Sequence, residues 1–556
     1  MKQSRSVAIE ALMLNLVAIQ SDTGTQQEKD VETYIHDWLG RHQYFKNHPD
    51  YFGMHRLEND PLGRSIVWGL VKGQGDQTVI LMHHHDAVDA FDYGSLAKWA
   101  YDPPNLQTAL TEMELTLEAH ADLEGGQWIF GRGTADMKAG AAIQCVVLME
   151  YAARANFRGN LLLLSVPDEE NLSEGMRGSL SLLVDLKVAF NLNYKMLINS
   201  EPHAKVQDHA GTFHVGSAGK LLPTIYVRGK KSHIGHIYQG FNPVLLLSEI
   251  VLQTELNTDY CDVVRGEVSP PPSWSFMRDN KEVYDASIPA SAGGYLSLIS
   301  LKKSPRNLMR QLKATCEESV DLTLDKIRRS HSAYCRKSGR QESDPTWRVA
   351  VRTFSEIYKQ ALKDSGQAFT EAYTAGLESV VADVRRQRLN SPEATLKIIE
   401  MTLEHLSDLS PMVVIALSPP YYPAIHNDEF SSLPRDVADL PDYLIDIAQN
   451  RWQEVYQKKN YLMGLTDLSY AALQAGQDIV PVIGPNMPLW QKTYDIPFDE
   501  MAALSVPVIN IGPWGKDLHK FTERVYKTDL CERTPQLLES AIDFLIGESQ
   551  DQRHRA

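Results

Sequence analysis

Asn160-Leu161-Leu162-Leu163-Leu164-Ser165-Val166, running into Pro167-Asp168-Glu169-Glu170, decides the fold. An apolar run of this length with no polar face is a strand covered on both sides. Lys195–Asn199 has the same character, and Ser65–Val71 and Thr78–Met82 read as further strands. Met137–Ala155 reads as a helix. Strands alternating with helices predict an α/β fold with a mostly parallel sheet. Functional groups of such sheets gather beyond the carboxyl ends of the strands.

Acidic and histidine-bearing clusters stand at those ends. In Leu81-Met82-His83-His84-His85-Asp86, His84 and Asp86 are two apart and share one side of an extended chain. That suits a histidine metal ligand oriented by a carboxylate. In Gly131-Arg132-Gly133-Thr134-Ala135-Asp136, two glycines allow an unusual path into a helix start. Asp136 then either caps the helix or keeps its carboxylate free. Glu169 and Glu170, adjacent at a buried strand end, repel each other unless a cation compensates. One of them can bind metal while the other acts on a water. Glu201 follows the apolar strand at Ile198-Asn199, and His519 lies far downstream. The set His84, Asp136, Glu170, Glu201 and His519 mixes imidazole and carboxylate, which zinc-like cations accept. It exceeds one tetrahedral site and suits two cations about 3.5–4 Å apart if Asp136 bridges them.

The rest of the chain sets bounds. Lys plus Arg is 55 and Asp plus Glu 71, a net charge of −16, which argues against nucleic acid or an anionic membrane as the partner. No apolar run approaches the roughly 20 residues of a membrane span, and the N-terminal stretch reads as a helix rather than a signal peptide. The 5 cysteines are scattered without a CxxC pair, which fits a reducing cytoplasm. Thr25-Gln26-Gln27-Glu28 reads as a capping box. Beyond about residue 215 the character shifts, and residues 306–406 are highly charged and helical in pattern. Sheet-like signals return at Met412–Leu417 and Ser505–Ile511, with a helix expected over Leu440–Gln457. The expected organisation is a catalytic domain, 1–215 and 411–556, interrupted by an insertion over 216–410.

These motifs, in this order, resemble the M20 family of metallopeptidases and amidohydrolases. His84-His85-Asp86-Ala87-Val88 fits its HxDxV, Gly131–Gly140 its bridging-aspartate segment, and Glu169-Glu170 its base and ligand pair. Glu201 matches a position that is Asp or Glu. Ser232-His233 with Gly240-Phe241-Asn242-Pro243 resembles its lid segment, Gly464-Leu465-Thr466-Asp467 its substrate loop, and Gly512-Pro513 to His519 and Glu523 its last ligand segment. The resemblance implies a zinc-exopeptidase-like catalytic domain interrupted by an α+β lid and dimerisation domain. It implies two divalent metals, zinc foremost, with cobalt and manganese as alternatives. Glu169 would be the general base, Asp86 the residue orienting His84, and His233 the oxyanion donor. Asn242, Thr466 and Asp467 would bind substrate. The reaction implied is hydrolysis of the amide bond of a short peptide or an N-acyl amino acid. The length of the chain and segments such as Asn199-Ser200-Glu201-Pro202-His203 look like an arginine-utilization subfamily, which points to arginine catabolism. A homodimer through the lid is expected. Two rival readings use the same residues: a metal-retaining binding or regulatory protein without turnover, and a dinuclear aminopeptidase.

Overall fold

Every residue of Asn160–Val166 is buried in a strand, as its sequence requires. The computed structural model describes residues 2–205, 210–281, 283–341, 347–474 and 479–547. The chain divides into two units, one comprising Met1–Ser217, Ile425–Gln474 and Pro497–Ala556, the other Ala218–Ala424 and Ala475–Ile496.

The first unit is built on an eight-stranded sheet. Its strands are β1 (Phe52–Arg56), β2 (Ser65–Lys72), β3 (Gln77–His84), β4 (Asn160–Val166), β5 (Asn193–Asn199), β6 (Gly211–His214), β7 (Tyr456–Lys459) and β8 (Val508–Asn510). They lie in the order β1-β2-β4-β3-β5-β8-β6-β7. The centre is parallel: β3 pairs β4 and β5, and β8 pairs β5. The pairs β1–β2, β2–β4 and β6–β8 are antiparallel. Register sets His84 opposite Val166, Met82 opposite Asn199, and Asn510 opposite Asn199. The chain leaving β3, β4, β5 and β8 therefore emerges at one edge.

Successive strand residues face opposite sides. Val79, Leu81, Leu161, Leu163, Met196 and Ile198 join one core. On that side lie α1 (Lys2–Ala18), α2 (Glu28–Arg41), α3 (Ala139–Ala152), α5 (Arg435–Trp452) and α6 (Thr534–Leu545). On the other side α4 (Glu174–Ala189) packs on β2 and β4. The box expected at Thr25–Glu28 does not form: α2 starts at Glu28, which is buried and turned inward. The helix expected over 440–457 is α5, which ends at Trp452 before β7.

The second unit holds a five-stranded sheet in the order 273–279, 291–300, 219–228, 412–422, 350–353. Its pairings are antiparallel except the last, which is parallel. Helices Pro305–Ser338, Phe354–Arg385 and Ser391–Leu403 account for the charged, helical stretch. Tyr226, Val414, Phe369, Ile398 and Ile399 belong to its core. Met412–Tyr422 pairs with 219–228 and so lies in this unit, beyond the boundary expected at 410 from the return of sheet-like signals. The whole is an α/β fold with mixed sheets.

Candidate active site

Each cluster residue is placed by the end of a secondary-structure element. His84 is the last residue of β3 and its side chain is buried. Its Nε2 lies 3.1 Å from Asp136 Oδ1 and 3.3 Å from Glu201 Oε1. Its Nδ1 faces the Asp86 backbone carbonyl at 3.0 Å and Asp86 Oδ1 at 3.5 Å. His519 mirrors this arrangement, its Nε2 lying 3.3 Å from Asp136 Oδ2 and 3.1 Å from Glu170 Oε1. Asp136 thus offers one oxygen to each histidine. Glu169 joins the same cluster: one ligand atom from each of His84, Glu169 and Glu201 comes within 4.8 Å of the others. The same holds for His84, Asp136 and Glu170.

His83 and His85 serve the scaffold, with Nδ1 of each paired to Gln144 Oε1 and Ser165 Oγ respectively, both at 2.9 Å. Asp136 sits in a tight turn before α3 with φ −112° and ψ 99°, not in a helix cap. Glu523 holds that turn, its Oε1 accepting the N–H of Ala135 at 3.1 Å and of Asp136 at 3.2 Å. Arg132 in turn donates to Glu523 Oε2 at 2.8 Å. Glycine is needed where segments close on Glu201. A Cβ on Gly140 would meet Ser200 O at 2.3 Å, and one on Gly512 would meet Glu201 O at 1.9 Å.

The electrostatics call for cations. Burial pushes the Glu169 carboxyl well above the usual range, and Glu201 adds to it against the pull of His84. Burial and then Asp136 push Glu201 up to about 8, and the same two raise Glu170. Asp136 is lowered, because hydrogen bonds to His519 and His84 outweigh its burial. Those bonds, to Asp136 and then Glu170, push His519 up to about 10. Buried carboxylates in this number need positive charge beside them. A donor set of two imidazoles and several carboxylates fits divalent cations of the zinc class.

The structure brings together Asp86, His84, Asp136, Glu169, Glu170, Glu201 and His519. Thr466 and Asp467 are buried in the same unit, Thr466 Oγ1 accepting from Leu468 N at 3.1 Å. Burial pushes Asp467 up to about 7 despite a hydrogen bond from Ser173. His233 and Asn242 belong to the second unit. His233 is exposed and its Nδ1 accepts from Gly235 N at 3.1 Å. Asn242 caps the helix Pro243–Thr254, its Oδ1 accepting from Val244 N at 3.0 Å. The bracing by Arg132 was not read from the sequence, since its partner lies 391 residues away.

A paired histidine–carboxylate cluster at the carboxyl edge of a mixed sheet defines a site suited to divalent cations. Residues 81–493 match the model of peptidase family M20/M25/M40. The chain is 34% identical over 545 residues to the uncharacterized protein YqjN of Bacillus subtilis (strain 168), covering 97% of this chain and 96% of that one. It is 28% identical over 547 residues to protein RocB of the same organism, covering 97% and 95%. A tripeptidase from Staphylococcus aureus shares the fold, with a TM-score of 0.52 at 12% identity over 97% of this chain and 98% of that one. The chain belongs to peptidase family M20/M25/M40 and is a metal-dependent hydrolase of amide bonds. Among the described residues no helix is long and apolar enough to cross a membrane.

Proposed function

We propose that the enzyme hydrolyses the amide bond of a short peptide or an N-acyl amino acid, with arginine derivatives the first substrates to try. The observation that carries the site assignment is the division of Asp136, Oδ1 toward His84 and Oδ2 toward His519, with His84 also beside Glu201 and His519 beside Glu170. His84, Glu201 and Asp136 would hold one divalent cation; His519, Glu170 and Asp136 would hold a second. Zinc is the first choice, and cobalt and manganese suit the same donors. Bound there, such cations polarise a carbonyl and lower the pKa of water.

Glu169 then acts as general base and acid. It takes a proton from the water that attacks the carbonyl carbon and returns it to the leaving amine nitrogen as the C–N bond breaks. Asp86 holds the ring of His84 and the backbone of Glu169 and Glu170. Oxyanion support by His233 and substrate contacts by Asn242, Thr466 and Asp467 rest on the sequence resemblance. So do arginine catabolism and a homodimer formed through the second unit, whereas a cytoplasmic location rests on the scattered cysteines.

The test is amine release from N-acyl amino acids and dipeptides, arginine derivatives included, by enzyme loaded with zinc or cobalt. Metal content is measured in parallel with Glu169→Gln. Turnover lost in the variant at full metal content supports the reading. Metal retention with no turnover on the panel favours the binding-protein rival. A preference for free over N-acylated dipeptides favours the aminopeptidase.

A further inference from the structure

The turn carrying Glu169 and Glu170 is held through its neighbour Asp168 by a buried ion network. Arg64 is 5% exposed. Its Nη1 donates to Glu28 Oε1 at 2.9 Å and to Asp168 Oδ1 at 2.7 Å. Its Nη2 donates to Asp60 Oδ1 at 2.9 Å. Glu28 closes the network, its Oε2 accepting the N–H of Asp168 at 3.0 Å and its Oε1 that of Gly24 at 2.7 Å. The next two N–H groups, of Glu169 and Glu170, donate to Asp86 Oδ1 at 3.1 Å and Oδ2 at 3.2 Å. Three successive backbone donors are thus each tied to a buried carboxylate. Asp168 has φ +68°, a conformation a non-glycine residue keeps when its surroundings fix it.

A buried ion network is weak as a source of stability, since desolvation offsets most of the attraction. What an arginine fork does well is fix geometry, because its donors are planar and directed. Here one guanidinium gathers carboxylates from the start of α2, the turn before β2 and the turn after β4. The two glutamates beyond Asp168 repel each other and would otherwise drive that turn apart.

We propose that Arg64 and Glu28 are positioning residues for Glu169, locking the Asp168 turn so that the Glu169 carboxylate stays at the reacting centre. This rests on the hydrolase reading above, and the experiment separates the two. Glu28→Gln places an amide where either the Asp168 N–H or the Arg64 and Gly24 donors need an acceptor. Arg64→Lys keeps the charge and loses the fork. Both variants are studied as metal-loaded full chains by amide hydrogen exchange, steady-state kinetics and metal content.

Exchange at Asp168, Glu169 and Glu170 is expected to accelerate at least tenfold in each variant, with β2 and β4 as protected as in the wild type. The turnover number kcat is expected to fall about 100-fold, as misplacement of a reacting group by about 1 Å does, with KM and metal content unchanged. Wild-type exchange at the turn in both variants overturns the proposal. So does acceleration spread evenly over β2 and β4, which would make the network a stability device. A wild-type enzyme that releases no amine from the substrate panel overturns the hydrolase reading, while exchange at the turn still decides the clamp.

Discussion

The two histidines of the cluster are held in opposite ways. His84 ends β3, between β4 and β5, and its side chain is 1% exposed. His519 stands in a loop with φ 62°, and its side chain is 50% exposed. One half of the site is therefore part of the core, and the other is laid over it from a distant segment. Burial makes the first half rigid and its charges interdependent. In the second half the His519 ring meets solvent while the Glu170 side chain stays buried. Asp136 joins them, one oxygen toward each histidine, and in the proposed mechanism Glu169 is their common base.

The largest effect is expected where the two halves share one task. Glu169→Gln should lower turnover by about 10²–10⁴-fold, the usual contribution of a general acid–base group, with metal content unchanged. Turnover within tenfold of the wild type would remove Glu169 from the chemistry and leave both halves without their common base.

The histidine substitutions test the contrast directly. His84→Ala should lose the cation shared with Glu201 and destabilise the fold by about 3–5 kcal/mol, since it leaves buried carboxylates without their partner. His519→Ala should lose the other cation and destabilise the metal-free protein less than His84→Ala, because the His519 ring is half exposed although its partners Asp136 and Glu170 are buried. Metal analysis and denaturant titration of the metal-free variants measure both. Equal stability losses would erase the distinction between a core half and a covering half.

What could be read from the sequence follows the same division. Asn160–Val166, the β3 end at His84 and the β5 end before Glu201 were legible, because buried parallel strands leave continuous apolar runs and the chemistry follows at their ends. Asp136 was legible as a carboxylate but not in its setting, which is a turn between Gly133, at φ 73°, and α3. Glu28 was misread, since a capping box and a buried network use the same residue, and only Arg64 across the fold distinguishes them. A true capping box does form at Thr353–Glu356, where Glu356 stays near the surface. Arg132 with Glu523, and Arg64 with Asp168, are pairings between distant segments with no local pattern to announce them.

Glu523→Gln probes the seam between the halves, since Glu523 follows His519 in the chain yet holds the backbone of Asp136. An amide there can keep the bonds to Ala135 and Asp136 or the bond from Arg132, but not both. Such outer groups typically contribute 10–100-fold to metal affinity or activity. The expected loss is in that range and falls on both cations, because Asp136 serves both. A loss confined to the His519 side would show that Glu523 acts only through its own loop.

The smallest effect is expected at Thr23, half-buried beside Asp86 on the His84 side. Its Oγ1 lies 2.8 Å from Asp86 Oδ2 and 3.1 Å from Ala87 O. Asp86 is held down to about 2, because hydrogen bonding to His84 and the nearby histidines outweighs its burial. Thr23→Val keeps the shape and removes the hydroxyl, while the N–H groups of Glu169 and Glu170 still donate to Asp86. The stability loss should be about 1 kcal/mol, the net worth of one hydrogen bond, and turnover should stay within a few-fold of the wild type. Because Asp86 touches His84 and not His519, any loss of metal should be confined to the cation shared with Glu201. An equal weakening of both would mean that Asp86 works through the Glu169–Glu170 turn rather than through the ring of His84.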